Sequence, residues 1–141
     1  MTAIEGSAAA VTGAASGIGR ALAIGLAEDS DSGYTGIAYL APGADGAAFR
    51  AAWERRLLPA LDAFDPDLIL ISAGFDAHAD DPLAGLTWRE DDFVWLTQRL
   101  CDIADAVCGG RVVSALEGGY DLAALQASVA AHVGVLEERG R

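Results

Sequence analysis

Residues 68–86 read LILISAGFDAHADDPLAGL, and this stretch says most about the fold. It opens with four aliphatic residues, the composition of a strand that is covered on both faces in a parallel sheet. A glycine then ends the apolar run, and Asp76, His78, Asp80 and Asp81 follow within a few residues. A buried strand does not need these polar side chains at its end, so the segment is a candidate for chemistry as well as for a turn.

The rest of the chain alternates between strand-like and helix-like segments. Short apolar runs predict strands at 8–12, 36–41, 68–72 and 111–116. Apolar residues at helical spacing predict helices at 17–28, 47–64, 91–107 and 122–138. Strands that alternate with crossover helices are typical of an α/β fold. We therefore predict a mostly parallel sheet of about four strands with helices on both faces, and with the strand at 68–72 in its centre.

The composition limits the classes of partner. The chain has 141 residues, of which 52% are hydrophobic and 21% charged, as expected of a globular protein of one domain. It contains no lysine, and its formal net charge is −12 at pH 7. Such a chain repels phosphate backbones and anionic lipid surfaces, so we expect no nucleic acid and no membrane among its partners.

The cysteines indicate a reducing compartment. Cys101 and Cys108 are seven positions apart on one predicted helix. That spacing separates them by roughly 10 Å along the helix axis, which is too far for a disulfide. Together with the lack of a basic region before the N-terminal apolar segment, buried reduced thiols predict a cytoplasmic protein.

Two polar loops, 73–86 and 117–121, follow the last two predicted strands. In open α/β sheets, ligands bind outside the carboxyl ends of the strands. The first loop offers carboxylates and an imidazole, which can bind zinc or a similar cation. The second offers Tyr120, whose phenol can donate a hydrogen bond to an oxyanion. Together the loops predict metal-assisted attack on a carbonyl group.

A family resemblance rests on these same loops. LILISAGFDAHADDPLAGL at 68–86, followed by LEGGYDL at 116–122, resembles the C-terminal half of the histone deacetylase family. The similarity is greatest to its bacterial branch, which includes acetylpolyamine amidohydrolases and acetoin-utilisation proteins, and it covers roughly residues 36–138. It implies a partial arginase/deacetylase-like fold and hydrolysis of an acetylated amine, either acetyl-lysine or an acetylpolyamine.

The resemblance also implies roles for particular residues. Asp76 matches a zinc-ligand aspartate. Tyr120 matches the catalytic tyrosine that polarises the amide carbonyl, and Gly118 and Gly119 match the turn that lets this tyrosine enter the site. Simpler interpretations stay open: Asp76 as a turn-capping residue, and Tyr120 as a partly buried tyrosine that closes the strand end.

Half of the implied site is missing from the sequence. The family pattern has an upstream Asp-x-His pair as further zinc ligands and a His-His pair as general base and electrostatic partner, whereas this chain has only His78 and His132. His132 lies among apolar positions of the last predicted helix and indicates packing. His78, Asp80 and Asp81 match no ligand position and suit loop-capping or supporting roles. We expect little or no zinc binding by the chain alone. A complementing chain would supply the missing pairs, and a homo-oligomer stays open as an assembly.

A second resemblance covers about twenty residues near the N-terminus. TGAASGIG at 12–19 resembles the Thr-Gly-x-x-x-Gly-x-Gly fingerprint of short-chain dehydrogenases/reductases, in which a glycine turn opens a helix that favours a pyrophosphate. This resemblance implies an enzyme with a Tyr-x-x-x-Lys motif, and this chain has no lysine. No carboxylate follows a clear second strand to hold a ribose. The residues therefore exclude hydride transfer by that mechanism.

The two resemblances meet at EDSDSGYTG, residues 28–36, a polar and acidic junction. We predict a dehydrogenase-like βα unit at 1–35, attached to the same sheet as a deacetylase-like half-domain at 36–141. Three functions stay open: an incomplete zinc-dependent deacetylase, a nucleotide-binding module without hydride transfer, and a structural remnant without activity.

The glycine turn at 13–19 leads to a first prediction. We expect the full chain to bind NAD or NADP weakly or not at all, because the lysine and the ribose-binding carboxylate are absent. Isothermal titration calorimetry with each dinucleotide should give no saturable heat. A micromolar dissociation constant for either one would contradict the prediction.

Overall fold

A computed structural model of the chain describes residues 40–140 and the backbone of residues 9–11. In chain order its elements are β1 (Ala9–Val11), α1 (Gly46–Ala52), a π-helical turn (Trp53–Leu57), α2 (Leu58–Phe64), β2 (Leu68–Ala73), α3 (Glu90–Val107), β3 (Val112–Leu116) and α4 (Leu122–Arg139). The helix predicted at 17–28 and the turn predicted at 13–19 lie outside the described residues, as does most of the strand predicted at 36–41.

The three described strands form one sheet in the order β1-β2-β3, and both pairings are parallel. β2 is therefore the central strand, which confirms the prediction made from its aliphatic sequence. Ile69 lies opposite Val112 and Ile71 lies opposite Ser114, so the side chains of each pair point to the same face of the sheet. The predicted mostly parallel sheet is confirmed, with three strands among the described residues instead of about four.

The core lies on the face of the sheet that carries the odd-numbered residues of β2. Ile69, Ile71 and Ala73 are buried there and cluster with buried side chains of α3. On the opposite face of β3, Val113 is 53% exposed. The described residues thus cover one face of β3 and leave this side of the strand open to solvent.

The helix predicted at 47–64 forms as a continuous but irregular helix. In its π-helical turn, the N–H of Leu58 donates to the carbonyl of Trp53, five residues earlier. Pro59 follows and has no N–H to continue the regular ladder. The helix then ends at Asp65, which adopts a left-handed conformation with φ of 53°.

The two cysteines are free and buried, as the sequence predicted. Cys101 lies within α3, and its burial is the main reason that its pKa is raised. Cys108 is the residue that follows the last turn of α3, so the helix ends one position before it. No helix among the described residues is long and apolar enough to cross a membrane.

A buried histidine joins three elements behind the sheet. On α4, His132 Nδ1 lies 2.7 Å from Thr97 Oγ1, and its Nε2 lies 2.9 Å from Ser114 Oγ. The Thr97 hydroxyl donates to the carbonyl of Phe93, so its oxygen accepts from the Nδ1–H of the imidazole. Nε2 then accepts from Ser114. The sequence predicted packing for His132, and the structure adds a polar link between α3, α4 and β3.

The burial of His132 predicts a loss of stability in mild acid. Burial lowers the pKa of this imidazole below its ordinary 6.5, so the unfolded chain takes up a proton at a higher pH than the folded chain does. The stabilisation is complete above the pKa that His132 has in the unfolded chain. As the pH falls toward its pKa in the folded chain, the free energy of unfolding decreases by at most about 1.4 kcal/mol per pH unit. Urea unfolding at a series of pH values around 6.5 measures this slope.

A histidine variant provides the comparison. His132→Gln should flatten the slope near neutral pH, because glutamine takes up no proton. A His132→Gln slope equal to that of the parent chain would show that this imidazole does not cause the pH dependence.

Candidate active site

Two backbone hydrogen bonds bring the predicted loops together at the carboxyl edge of the sheet. The N–H of Glu117 donates to the carbonyl of Ala73 at 3.0 Å, and the N–H of Phe75 donates to the carbonyl of Gly118 at 2.8 Å. They continue the β2–β3 pairing beyond the last residue of each strand. The loop that carries Asp76 and the loop that precedes the tyrosine are consequently fixed side by side.

The carboxylate of Asp76 is half-buried against two glycines. A Cβ atom placed on Gly118 would lie 2.9 Å from Cγ of Asp76 and 3.0 and 3.1 Å from its two oxygens. A Cβ atom on Gly74 would lie 2.9 Å from Oδ1. Any side chain at these positions would push the carboxylate away, so the glycines create the space that it occupies.

The backbone of Gly119 sets the position of the tyrosine that follows it. Its φ of 138° lies in the region that favours glycine, and a Cβ atom there would lie 2.7 Å from Cδ1 of Leu125. The next residue, Tyr120, is 57% exposed at the edge of the site. Its N–H donates to Asp81 Oδ2 at 2.7 Å. The tyrosine loop is therefore tied by its backbone, while its phenol stays accessible.

Asp76 and Tyr120 line one cavity of about 660 Å³. Glu117 also lines this cavity, together with the buried side chains of Thr97 and His132. The rest of the lining is mainly apolar and includes Phe49, Trp53, Ile71, Phe75, Leu86, Trp88, Phe93, Leu96, Leu100 and Leu116. The volume suits a small organic ligand, and the few polar groups are arranged around an apolar interior.

The other polar residues of the first loop stabilise that loop. Buried His78 accepts a hydrogen bond at Nδ1 from the N–H of Asp80 at 3.1 Å, and its Nε2 lies 3.4 Å from Glu90 Oε1. Exposed Asp80 pairs with Arg89 at 3.3 Å. Asp81 accepts from two backbone N–H groups. These contacts agree with the capping and supporting roles predicted for the three residues.

Two carboxylates of this region have lowered pKa values. The pKa of Glu90 is lowered mainly by a hydrogen bond from its own backbone N–H, with a further contribution from the imidazole of His78, which lies 3.4 Å away. Burial raises the pKa of Asp81, but hydrogen bonds from several backbone N–H groups, that of Tyr120 foremost, outweigh it and leave the pKa lowered. Both carboxylates therefore hold their negative charge close to the site.

The described residues do not form a complete metal site. A catalytic zinc needs about three protein ligands, and no group of three or more His, Cys, Asp or Glu side chains that could hold a metal occurs within 40–140. His78 cannot complete such a set, because its nitrogens face the N–H of Asp80 and the carboxylate of Glu90. The donor set around Asp76 therefore does not fit a tightly bound zinc ion by itself.

Sequence reasoning did not identify three residues that line the cavity. Glu117 adjoins the glycine pair, and its place in a loop after a strand was the available signal. Thr97 and His132 are 35 residues apart on different helices, so no local pattern joins them. Their contribution depends on the packing of α3 against α4.

The chain resembles known proteins over most of its length. A family model described as a histone deacetylase domain matches residues 11–136. The chain belongs to the histone deacetylase family. The matched range begins within β1 and crosses the boundary that the sequence predicted between residues 35 and 36.

Two curated members of the family illustrate the extent of the match. "Histone deacetylase 10, chloroplastic" of Oryza sativa is 50% identical over 90 residues, which cover 63% of this chain and 20% of that protein. The "Histone deacetylase-like amidohydrolase" of Pseudomonas aeruginosa is 41% identical over 95 residues, which cover 67% of this chain and 25% of that protein. This deacetylase-family chain thus spans a quarter or less of the length of these relatives.

Solved structures confirm the partial deacetylase fold. The HDA15 HD domain shares 38% identity and a TM-score of 0.63, over 68% of this chain and 26% of that one. The histone deacetylase Clr3 shares 30% identity and a TM-score of 0.62, over 68% of this chain and 16% of that one. The parallel sheet and its helices therefore have the deacetylase arrangement.

The contact between Gly118 and Asp76 gives a prediction. In Gly118→Ala, the new methyl group must displace the Asp76 carboxylate, because the two would lie within 3.1 Å of each other. The carboxyl ¹³C signal of Asp76 should shift in NMR spectra. The free energy of unfolding should change by no more than about 1 kcal/mol, since only the end of a flexible side chain has to move.

Gly134→Ala is the matched control. A Cβ atom at this position in α4 meets nothing within 4 Å. This variant should leave the Asp76 signal in place and stabilise the helix by about 0.5–1 kcal/mol. An unchanged Asp76 signal in Gly118→Ala would show that Gly118 does not lie against the Asp76 carboxylate.

Proposed function

We propose that this chain contributes part of an amide-deacetylating site, with Asp76 as a zinc ligand and Tyr120 as the donor to the substrate carbonyl. The observation that carries the proposal is their shared position: both line one cavity, on loops joined directly by backbone hydrogen bonds. Membership of the histone deacetylase family supports the same assignment. Within it, Tyr120 donates its phenolic hydrogen to the oxygen that gains charge when the amide is attacked.

The charge of the chain favours a cationic substrate. A formal net charge of −12 attracts amines and basic peptides by long-range electrostatics. Acetylated polyamines retain free ammonium groups, and acetyl-lysine often lies in basic peptides. The mainly apolar cavity suits the alkyl part of either molecule. We propose an acetyl-lysine peptide or an acetylpolyamine as the substrate, in the cytoplasm.

We propose further that the site is incomplete in the chain alone. Asp76 supplies one zinc ligand, and the described residues provide no set of three. The Asp-x-His and His-His pairs that the family resemblance implies would come from a second chain. Among the described residues, the face of β3 that carries Ala115 and Val113, the latter 53% exposed, is left uncovered, and this leaves room for a second chain.

Metal content and hydrolysis test the proposal together. The purified chain should carry well under one equivalent of zinc by mass spectrometry and should hydrolyse an acetyl-lysine peptide no faster than buffer. Mixing it with the unmatched part of the Pseudomonas aeruginosa relative should produce zinc binding and deacetylation. Asp76→Asn and Tyr120→Phe should each abolish the hydrolysis in the mixture.

Two outcomes would contradict this account. Zinc near one equivalent, with hydrolysis by the chain alone that both substitutions abolish, would mean that the chain is a complete enzyme. Zinc-loaded mixtures that never hydrolyse the peptide or acetylspermidine would exclude the deacetylase assignment.

A further inference from the structure

The carboxylate of Asp81 bridges the two loops of the site. Its Oδ1 accepts from the N–H of Leu83 at 3.0 Å, within its own loop. Its Oδ2 accepts from the N–H of Tyr120 at 2.7 Å, although the two residues are 39 positions apart in the chain. One side chain therefore caps the turn after Asp76 and also holds the backbone of the tyrosine.

We propose that Asp81 is a positioning residue that holds the Tyr120 backbone, and thereby the phenol, in place relative to Asp76. The role of the phenol in this inference rests on the proposed function. The tether itself is a property of the two loops and can be tested without any activity.

The tyrosine loop needs such a tether because of its composition. Gly118 and Gly119 precede Tyr120 and leave the backbone with wide conformational freedom. On the other side, Asp121 caps α4 by accepting from the N–H of Ala124 at 2.8 Å, which fixes the start of the helix. Tyr120 lies between this glycine pair and the fixed start of the helix. A hydrogen bond from its N–H therefore restricts the backbone dihedral angles that the glycines leave free.

Asp81 is itself held firmly enough to act as an anchor. Its N–H donates to the carbonyl of His78 at 3.0 Å, and the imidazole of His78 is only 2% exposed. Pro82 follows and restricts the backbone of Asp81 to extended conformations. The buried imidazole, the turn and the carboxylate thus connect the tyrosine loop to the N-terminal end of α3, where Glu90 faces His78.

The negative charge of Asp81 strengthens the tether. Hydrogen bonds from backbone N–H groups to a carboxylate are shorter and stronger than those to a neutral acceptor. Burial acts to raise the pKa of Asp81, but backbone N–H groups from both loops, that of Tyr120 foremost and that of Leu83 next, lower it further than burial raises it. Replacement of the carboxylate should therefore release Tyr120 more than the loss of a hydrogen bond to a neutral acceptor would.

Amide hydrogen exchange of the full chain measures the tether. In Asp81→Ala, the Tyr120 amide should exchange about 10- to 100-fold faster, as expected for the loss of a hydrogen bond to a charged group. Amides of β2 and β3 should keep their rates. With ¹³C-labelled tyrosine, the ring signal of Tyr120, assigned by Tyr120→Phe, should shift toward the position of a freely moving tyrosine.

Asp80→Ala is the matched control, because Asp80 is the adjacent carboxylate and forms an exposed ion pair with Arg89. It should leave the exchange rate and the ring signal of Tyr120 unchanged. Asp81→Glu should restore part of the protection, since a longer carboxylate can still accept from the N–H. An unchanged Tyr120 amide in Asp81→Ala, or equal acceleration of all amides, would overturn the proposal.

The catalytic consequence is measured separately in the mixture with the complementing chain. Asp81→Ala should lower kcat for the acetyl-lysine peptide at least tenfold with KM within about twofold, because a misplaced donor costs transition-state stabilisation more than binding. Released Tyr120 signals with normal kcat would overturn the positioning role. A mixture without any hydrolysis would refute the proposed function, while the exchange and ring signals would still decide on the tether.

Discussion

The parallel pairing of β2 with β3 is the constraint on which the rest of this structure depends. The pairing continues past the strand ends through the Glu117–Ala73 and Phe75–Gly118 backbone bonds. Without this extension, the carboxylate loop and the tyrosine loop would leave the sheet independently. Because the strands are parallel, both loops emerge at the same edge, and two residues 44 positions apart in the sequence share one cavity.

The candidate site depends on two kinds of contact: a close approach of a carboxylate to the backbone, and hydrogen bonds between the helices and the sheet. Gly118 lets the Asp76 carboxylate lie directly against the neighbouring backbone. Behind the sheet, the hydrogen bonds of His132 to Thr97 and Ser114 connect the helical layer to β3. The same imidazole lines the cavity, so the core that stabilises the fold also forms a wall of the site. Substitutions in this layer would affect stability and cavity shape together.

The two loops of the candidate site come together within this part of the chain. The exposed Tyr120 and the half-buried Asp76 line one cavity, and the described residues do not assemble a set of metal ligands there. On the opposite face of β3, Val113 and Ala115 are exposed. In this fold, strand pairing decides which loops lie side by side, whereas a metal site would require donor groups that do not meet within residues 40–140.

The sequence by itself determined the order of the elements and the chemistry of the loops. Secondary structure depends on a few neighbouring residues, such as the aliphatic run of β2, the helical period of α3 and the glycines that end it. The helix at 91–107 and the strand at 111–116 were therefore each predicted to within one residue. Only the tertiary structure decided which side chains meet. The Asp81–Tyr120 bond and the Thr97–His132 contact join residues more than 30 positions apart, and such contacts depend on how whole elements pack. Local propensity and periodicity do not predict that packing.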